Sequence, residues 1–198
     1  MPFNIALILF PDFEELDFAG PYEVFAMTSK YIDKDWHVYS VAATAEVRAF
    51  HGMRVLADYA FTSAPDPNLI CVPGGFGTRP GMNDAALIDY IRRTGESASH
   101  VTSVCTGALL LHTAGFLEGR RATTHWAAKQ DLRDLGGGTQ VVDEARWVVD
   151  GNVITAAGVS AGIDMALYVV GQLKSPDEAR KVQRMMEYFP APPYAEAT

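Results

Sequence analysis

Short apolar runs with little alternation recur along this chain, and each is followed by turn residues or by a helix-sized segment. The clearest runs cover residues 3–10, 36–42, 69–72, 101–104 and 153–156. Apolar residues on both sides of a strand indicate that both faces of the sheet are covered, and parallel strands need helix-sized connections. The pattern therefore predicts an α/β fold, a mostly parallel sheet with helices on both faces.

The chain has 198 residues, which is enough to enclose one substantial core. No internal repeat, low-complexity tract or linker divides it. We therefore expect a single domain over residues 1–198. Residues 53–58 are predicted to form a small accessory strand.

Charge and composition argue against several classes of protein. Sixteen lysines and arginines against 24 acids give a net charge of −8, and no segment gathers basic residues, so nucleic acid is not an expected partner. The run at 3–10 is too short to span a membrane and lacks the layout of a signal peptide. With two cysteines, Cys71 and Cys105, and no export signal, we expect a cytoplasmic protein with free thiols.

Cys105 occupies the end of a predicted strand, where open α/β sheets bind their ligands. It follows the run at 101–104 and precedes the small residues TGA, which can open a helix. A sharp strand-to-helix turn projects a nucleophile above the sheet, and the helix N-terminus is expected to lower the thiol pKa. The alternative is a buried cysteine that packs as a small hydrophobe, which is our interpretation of Cys71 within LICV.

The segment PGGFG follows the predicted strand at 69–72. Its glycines would bring backbone N–H groups, unobstructed by side chains, close to the cysteine. One donor from Gly75 and one from Thr106 could form an oxyanion hole. Glycines after a strand more often mark a turn, so this interpretation depends on the neighbouring elbow.

Asp17 lies just past the first strand, between Leu16 and Phe18. These apolar neighbours suggest that it points into the protein, whereas Glu14 and Glu15 are interpreted as solvated acids of a first helical turn. A half-buried carboxyl beside a thiol would have a raised pKa, as a proton donor near neutral pH needs. The alternative is an aspartate that caps the helix.

His125 follows a short strand predicted over residues 122–124. A Cys/His pair would activate the thiol, but a histidine beside a tryptophan is often hydrogen-bonded scaffold, and we favour that interpretation. The other histidines share no spacing with acids or cysteines that indicates a metal site. No dinucleotide or Walker pattern occurs, so neither a metal nor a cofactor is predicted.

Six stretches together resemble the ThiJ/PfpI superfamily and, within it, the isonitrile hydratases most closely. They are IALILFPDFEELDFAGPYEVF, ICVPGGFG, VTSVCTGALLL, GRRATTHWAAK, DGNVITAAGVSAGIDMAL and MEYFPAPP, in the family's order over nearly the whole chain. The resemblance implies a flavodoxin-like three-layer sandwich with a cysteine at a nucleophile elbow. It also implies a homodimer without a metal or organic cofactor.

The resemblance implies that Cys105 is the nucleophile, Asp17 the acid beside it, and Gly75 and Thr106 the backbone donors. Protease and amidotransferase relatives place histidine directly after the cysteine, where this chain has Thr106. Chaperone, glyoxalase and deglycase relatives usually carry glutamate at the position of Asp17, whereas the hydratases carry aspartate. Both positions favour hydration of an isonitrile to an N-substituted formamide through a cysteine thioimidate.

The expected ligand is a small molecule, in a pocket shaped by Phe76, His125, Trp126 and Val159. Two other functions stay open: a glyoxalase or deglycase acting on α-oxoaldehydes, and a non-enzymatic redox or ligand sensor based on Cys105. Similar domains also occur in AraC-type regulators, fused to DNA-binding helices.

Overall fold

The computed structural model describes residues 2–191 and 193–194. The strands, in chain order, are β1 (Phe3–Ile8), β2 (Trp36–Ala42), β3 (Glu46–Arg48), β4 (Arg54–Leu56), β5 (Tyr59–Ala60), β6 (Leu69–Val72), β7 (His100–Ser103), β8 (Arg121–Ala122), β9 (Gln140–Val141), β10 (Trp147–Asp150) and β11 (Val153–Ala156). The helices are α1 (Glu15–Tyr31), α2 (Thr78–Gly81), α3 (Ala85–Ser97), α4 (Gly107–Thr113), α5 (Lys129–Asp134), α6 (Ala161–Leu173) and α7 (Pro176–Met185).

Seven of these strands form the central sheet, in the spatial order β10-β11-β7-β6-β1-β2-β5. Neighbouring strands are parallel except β10 and β11, which pair as an antiparallel hairpin. In the centre, Ile5 of β1 lies opposite Val38 of β2 and Leu69 of β6. β6 and β11 are buried along their whole length, as unalternated apolar runs require. The predicted parallel sheet is confirmed.

Two groups of helices flank the sheet. Helices α1, α6 and α7 contact one another, while α4 contacts α2, α3 and α5. The result is the expected three-layer α/β arrangement. None of the helices described is both long enough and apolar enough to cross a bilayer.

The predicted accessory strand at 53–58 is shorter than expected and belongs to a hairpin. Its central part, β4, pairs antiparallel with β3, and Val55 lies opposite Val47. The hairpin loop reaches the start of α1, where the Phe50 N–H donates to the Phe13 carbonyl at 2.9 Å. Because this loop packs beside the carboxyl edge of the sheet, it brings His51 near the residues described below.

Candidate active site

Cys105 lies in the sharp turn between β7 and α4. Its φ of 55° is in the left-handed region, which costs a non-glycine residue about 1–3 kcal/mol. Its N–H donates to the carbonyls of Ala156 (3.2 Å) and Ala157 (2.9 Å). The Thr124 hydroxyl donates to the Cys105 carbonyl at 2.7 Å. These hydrogen bonds hold the strained conformation, which is the strand-to-helix elbow that the sequence predicts.

Gly107 allows α4 to start immediately behind the elbow. A Cβ atom at this position would lie 2.2 Å from the Val72 carbonyl oxygen and 2.8 Å from that of Pro73. Both oxygens belong to the backbone of β6 and the turn that follows it, so neither can move aside easily. The elbow therefore needs a residue without a side chain at position 107.

Asp17 lies in the first turn of α1 and is completely buried. Its Oδ2 accepts the Gly74 N–H at 2.8 Å, its Oδ1 accepts no hydrogen bond from the described residues, and the Cys105 thiol is a further neighbour of the carboxyl. Burial raises the pKa of Asp17 to about 8, the Gly74 N–H opposes that rise, and the charge of Glu14 adds to it. The predicted rise in pKa is confirmed, and the carboxyl is mostly protonated at neutral pH.

Burial raises the pKa of the Cys105 thiol to about 12, and the charge of Asp17 acts in the same direction. The N–H groups of Thr106 and Val159 lower the thiol pKa by hydrogen bonding. The start of α4 thus lowers the thiol pKa through the Thr106 N–H, in the predicted direction. Cys105 is only 6% exposed, however, and lost hydration outweighs this contribution. Burial also raises the pKa of Cys71 to about 12. The two thiols therefore do not differ in the direction of their pKa shift. They differ in access, because Cys105 lines a cavity and Cys71 is buried within β6.

The Gly75 N–H, which was predicted to donate to an oxyanion, already donates to the Thr106 hydroxyl. The Gly75 N–H donates to Thr106 Oγ1 at 2.9 Å, and the same hydroxyl donates to the Gly75 carbonyl at 3.1 Å. The backbone groups that face the sulfur are instead those of Thr106 and Val159. Val159 has a φ of 37°, which is unusual for a β-branched residue. An oxyanion-binding role for Gly75 stays a prediction.

A cavity of about 200 Å³ opens in front of Cys105. It brings together six of the residues that the sequence singled out: Gly75, Phe76, Cys105, Thr106, His125 and Val159. Phe76 is 64% exposed and stacks on Phe50 with ring centroids 4.4 Å apart. The hairpin between β3 and β4 thus supports the aromatic rim of the cavity.

Trp126, also expected in this pocket, lies outside the lining of the Cys105 cavity. It is 76% exposed and borders a neighbouring depression. His125 does line the cavity, and its Nδ1 accepts the Ala127 N–H at 3.2 Å. Its ring packs so closely on Gly158 that a Cβ there would lie 2.4 Å from the ring. Burial lowers the pKa of His125, which fits a neutral ring fixed by its neighbours.

Two charged residues in the cavity wall, Glu14 and Arg79, were missed from the sequence. Glu14 was interpreted as solvated, yet it stands three residues before Asp17, a spacing that places both on one side of a helix start. No sequence signal indicates Arg79, which reaches Asp131 at 2.7 Å. The wall of the Cys105 cavity is therefore more polar than the sequence predicts.

His51 lies beside two acids, although no spacing in the sequence indicated a metal site at this histidine. Its Nδ1 is 2.8 Å from Glu15 Oε2 and 3.8 Å from Glu14 Oε1. These three side chains could together offer ligand atoms to a cation. The hydrogen bond between His51 and Glu15 already accounts for their proximity, and it raises the pKa of His51.

A three-layer α/β fold with a cysteine at a strand-to-helix elbow and a buried acid beside the thiol defines a class of cysteine-centred α/β proteins. The sequence profile of the DJ-1/PfpI family matches residues 4–172. The chain belongs to the DJ-1/PfpI family.

Three relatives illustrate the range of this family. The chain is 42% identical over 195 residues to isonitrile hydratase of Pseudomonas putida, covering 98% of this chain and 82% of that protein. It is 30% identical over 177 residues to the HTH-type transcriptional regulator CdhR of Pseudomonas aeruginosa, covering 88% of this chain but 52% of the regulator. The crystal structure of a ThiJ/PfpI family protein from Pseudomonas syringae superposes with a TM-score of 0.90 at 33% identity, covering 100% of this chain and 80% of the other.

Proposed function

We propose that this protein hydrates small isonitriles to N-substituted formamides. The observation that carries the proposal is the buried, protonatable Asp17 carboxyl beside the Cys105 thiol, next to a cavity of about 200 Å³. The similarity to the Pseudomonas putida isonitrile hydratase supports the same reaction.

The first chemical step joins Cys105 to the terminal carbon of the isonitrile R–N≡C. As the C–S bond forms, the sulfur loses its proton and the isonitrile carbon gains one. Asp17 can give its proton to the substrate and take the proton of the thiol, because it is protonated and adjacent to that thiol. The product is a thioimidate, Cys–S–CH=N–R, with Asp17 protonated again.

The second step adds water to the thioimidate carbon. A C–O bond forms, the electron pair of the C=N double bond moves to nitrogen, and nitrogen takes up a proton. The C–S bond then breaks, the hydroxyl loses its proton and the sulfur regains one. One isonitrile and one water supply all the atoms of the formamide, so the chemistry needs no cofactor.

The surroundings of Cys105 suit both steps. The N–H groups of Thr106 and Val159 stabilise negative charge on the sulfur. Phe76, Ala127 and Ala128 give the cavity apolar walls, and an isonitrile with an alkyl or aryl substituent is uncharged. Burial of that substituent against these walls favours binding.

The test offers an alkyl isonitrile and methylglyoxal separately to the purified protein. We expect formamide from the isonitrile, detected by mass spectrometry, and no conversion of methylglyoxal above background. Activity should survive dialysis against a chelator. Cys105→Ala should reduce turnover to background, whereas Cys71→Ala, the matched control at a buried thiol away from the cavity, should keep it.

Conversion of methylglyoxal without formamide formation would replace the proposal with the glyoxalase alternative. Loss of hydration on chelation and its return with zinc would contradict the cysteine mechanism. A Cys105→Ala protein as active as the parent would do the same.

A further inference from the structure

Glu14 is the one carboxylate among the described residues that line the Cys105 cavity. Its side chain is 21% exposed and forms part of the cavity wall. Its backbone N–H donates to the Gly74 carbonyl at 2.8 Å, so Glu14 and Asp17 hold opposite ends of the same glycine. This fixes Glu14 relative to the thiol that Asp17 adjoins.

The Glu14 carboxylate has no hydrogen-bond donor among the described residues. His51 Nδ1, the nearest cationic partner, is 3.8 Å from Oε1. The adjacent Glu15 differs: its Oε1 accepts the His51 N–H and its Oε2 contacts His51 Nδ1, each at 2.8 Å. Glu14 therefore keeps its lone pairs available to a molecule in the cavity, and Glu15 does not.

The hydrolytic step of the proposed reaction needs a base that water can reach. Asp17 is 0% exposed, and it is protonated when the thioimidate has formed. It cannot accept a proton from water in that state. A second acceptor is required on the side of the cavity from which water approaches.

The other polar side chains of the cavity do not supply that acceptor. Arg79 only donates hydrogen bonds, and the Thr106 hydroxyl is engaged with Gly75. His125 accepts the Ala127 N–H at Nδ1, so the neutral ring carries its proton on Nε2 and presents a donor there. Glu14 is the acceptor that is left among the described lining residues.

We propose that Glu14 is the general base of the hydrolytic step, the group that takes a proton from water as oxygen attacks the thioimidate carbon. This inference rests on the proposed hydration of isonitriles. Glu14 passes the proton of water to the nitrogen as the C=N bond becomes a single bond. When the C–S bond breaks, Glu14 takes the hydroxyl proton and Asp17 protonates the sulfur. Solvent then returns both carboxyl groups to their starting states.

The test compares Glu14→Gln with Glu15→Gln, a matched control one residue away that lies outside the cavity lining. We expect Glu14→Gln to lower kcat for an alkyl isonitrile by about 100-fold or more, as removal of a general base does. Because the thiol addition precedes this step, the variant should accumulate a covalent adduct on Cys105. Intact-mass spectrometry should find an increase equal to the mass of the isonitrile. Glu15→Gln should turn over within a few-fold of the parent and accumulate none.

A second variant, Glu14→Ala, distinguishes loss of a catalytic carboxylate from a change in the structure of the site. Glu14→Ala should lose hydrolysis in the same way, and added formate, a small external carboxylate, should restore part of it. A Glu14→Gln protein that turns over like the parent would overturn the inference. So would a Glu14→Gln protein that is slow but forms no adduct, because its defect would then lie in the addition step. If the parent itself produces no formamide, the proposed function fails, whereas these two results with an active parent reject only the role of Glu14.

Discussion

At the scale of single residues, Asp17 and Cys105 are two neighbouring acids that burial makes hard to ionise: the charge of Asp17 raises the pKa of Cys105, whereas the hydrogen bond from Cys105 lowers that of Asp17. Burial is the main cause of both raised pKa values, so the resting pair is neutral at pH 7. In the proposed mechanism, the sulfur therefore becomes nucleophilic through proton transfer during attack rather than as a standing thiolate. This differs from the expectation of a low-pKa thiol under a helix N-terminus.

The role of Asp17 can be measured by its pH dependence. Its raised pKa of about 8 means that the proton-donating form is present below that pH and is lost above it. Formamide production by the parent should therefore fall as pH rises through about 8. Asp17→Asn should lower turnover by roughly 10²- to 10⁴-fold and lack that limb in its pH–rate profile.

His125→Asn serves as the comparison, because the His125 ring is held by Ala127 and packed on Gly158. It should cost less activity than Asp17→Asn at matched folded concentration, checked by circular dichroism. A folded but inactive His125→Asn protein beside a nearly normal Asp17→Asn protein would reverse these roles.

At the scale of secondary-structure elements, the elbow depends on the close approach of α4 to β6. The strain at Cys105 is maintained by hydrogen bonds to the segment after β11 and to Thr124. Three separate parts of the chain therefore fix the position of one sulfur. A perturbation in any of them should move the thiol relative to Asp17.

Gly107→Ala tests this dependence. The new Cβ would lie 2.2 Å from the Val72 carbonyl oxygen, so we expect a loss of about 2 kcal/mol or more in the free energy of unfolding, together with reduced turnover. Gly171→Ala is the control, since its Cβ would meet Ala179 Cβ at 3.7 Å inside α6. It should be neutral or stabilising by up to about 1 kcal/mol. Equal effects of both substitutions on urea unfolding would contradict the packing argument.

At the scale of the whole molecule, the buried Asp17 makes global stability depend on pH. The folded protein binds the Asp17 proton more tightly than the unfolded chain, because the folded pKa is about 8 and the ordinary value is 3.8. The stability that this group contributes is fully present below about pH 4 and is lost as pH rises to about 8.

Asp17→Asn removes that dependence while keeping an oxygen to accept the Gly74 N–H. The unfolding free energy of the parent should therefore fall relative to that of Asp17→Asn by about a few kcal/mol between pH 4 and pH 8. Urea unfolding at a series of pH values measures this difference. A constant difference over that range would show that Asp17 titrates alike in the folded and unfolded states.

The sequence by itself determined the sheet and where Cys105 and Asp17 lie relative to it. Apolar runs such as 69–72 and 101–104 are local patterns, and a strand buried on both faces imposes them residue by residue. Cys105 could be placed at a strand end for that reason. Asp17 could be placed in the interior because Leu16 and Phe18 flank it, although Leu16 itself is 40% exposed.

Only the tertiary structure decided how the surroundings of Cys105 act on it. Packing between distant segments places Glu14 in the cavity wall and leaves Trp126 exposed. It also brings His51 into hydrogen-bond contact with Glu15, 36 positions earlier in the sequence. The net rise in the thiol pKa was missed for the same reason: the helix N-terminus is visible in the local sequence, whereas the loss of hydration comes from elements far along the chain. Desolvation is a property of the assembled core, and it outweighs the local field at the elbow.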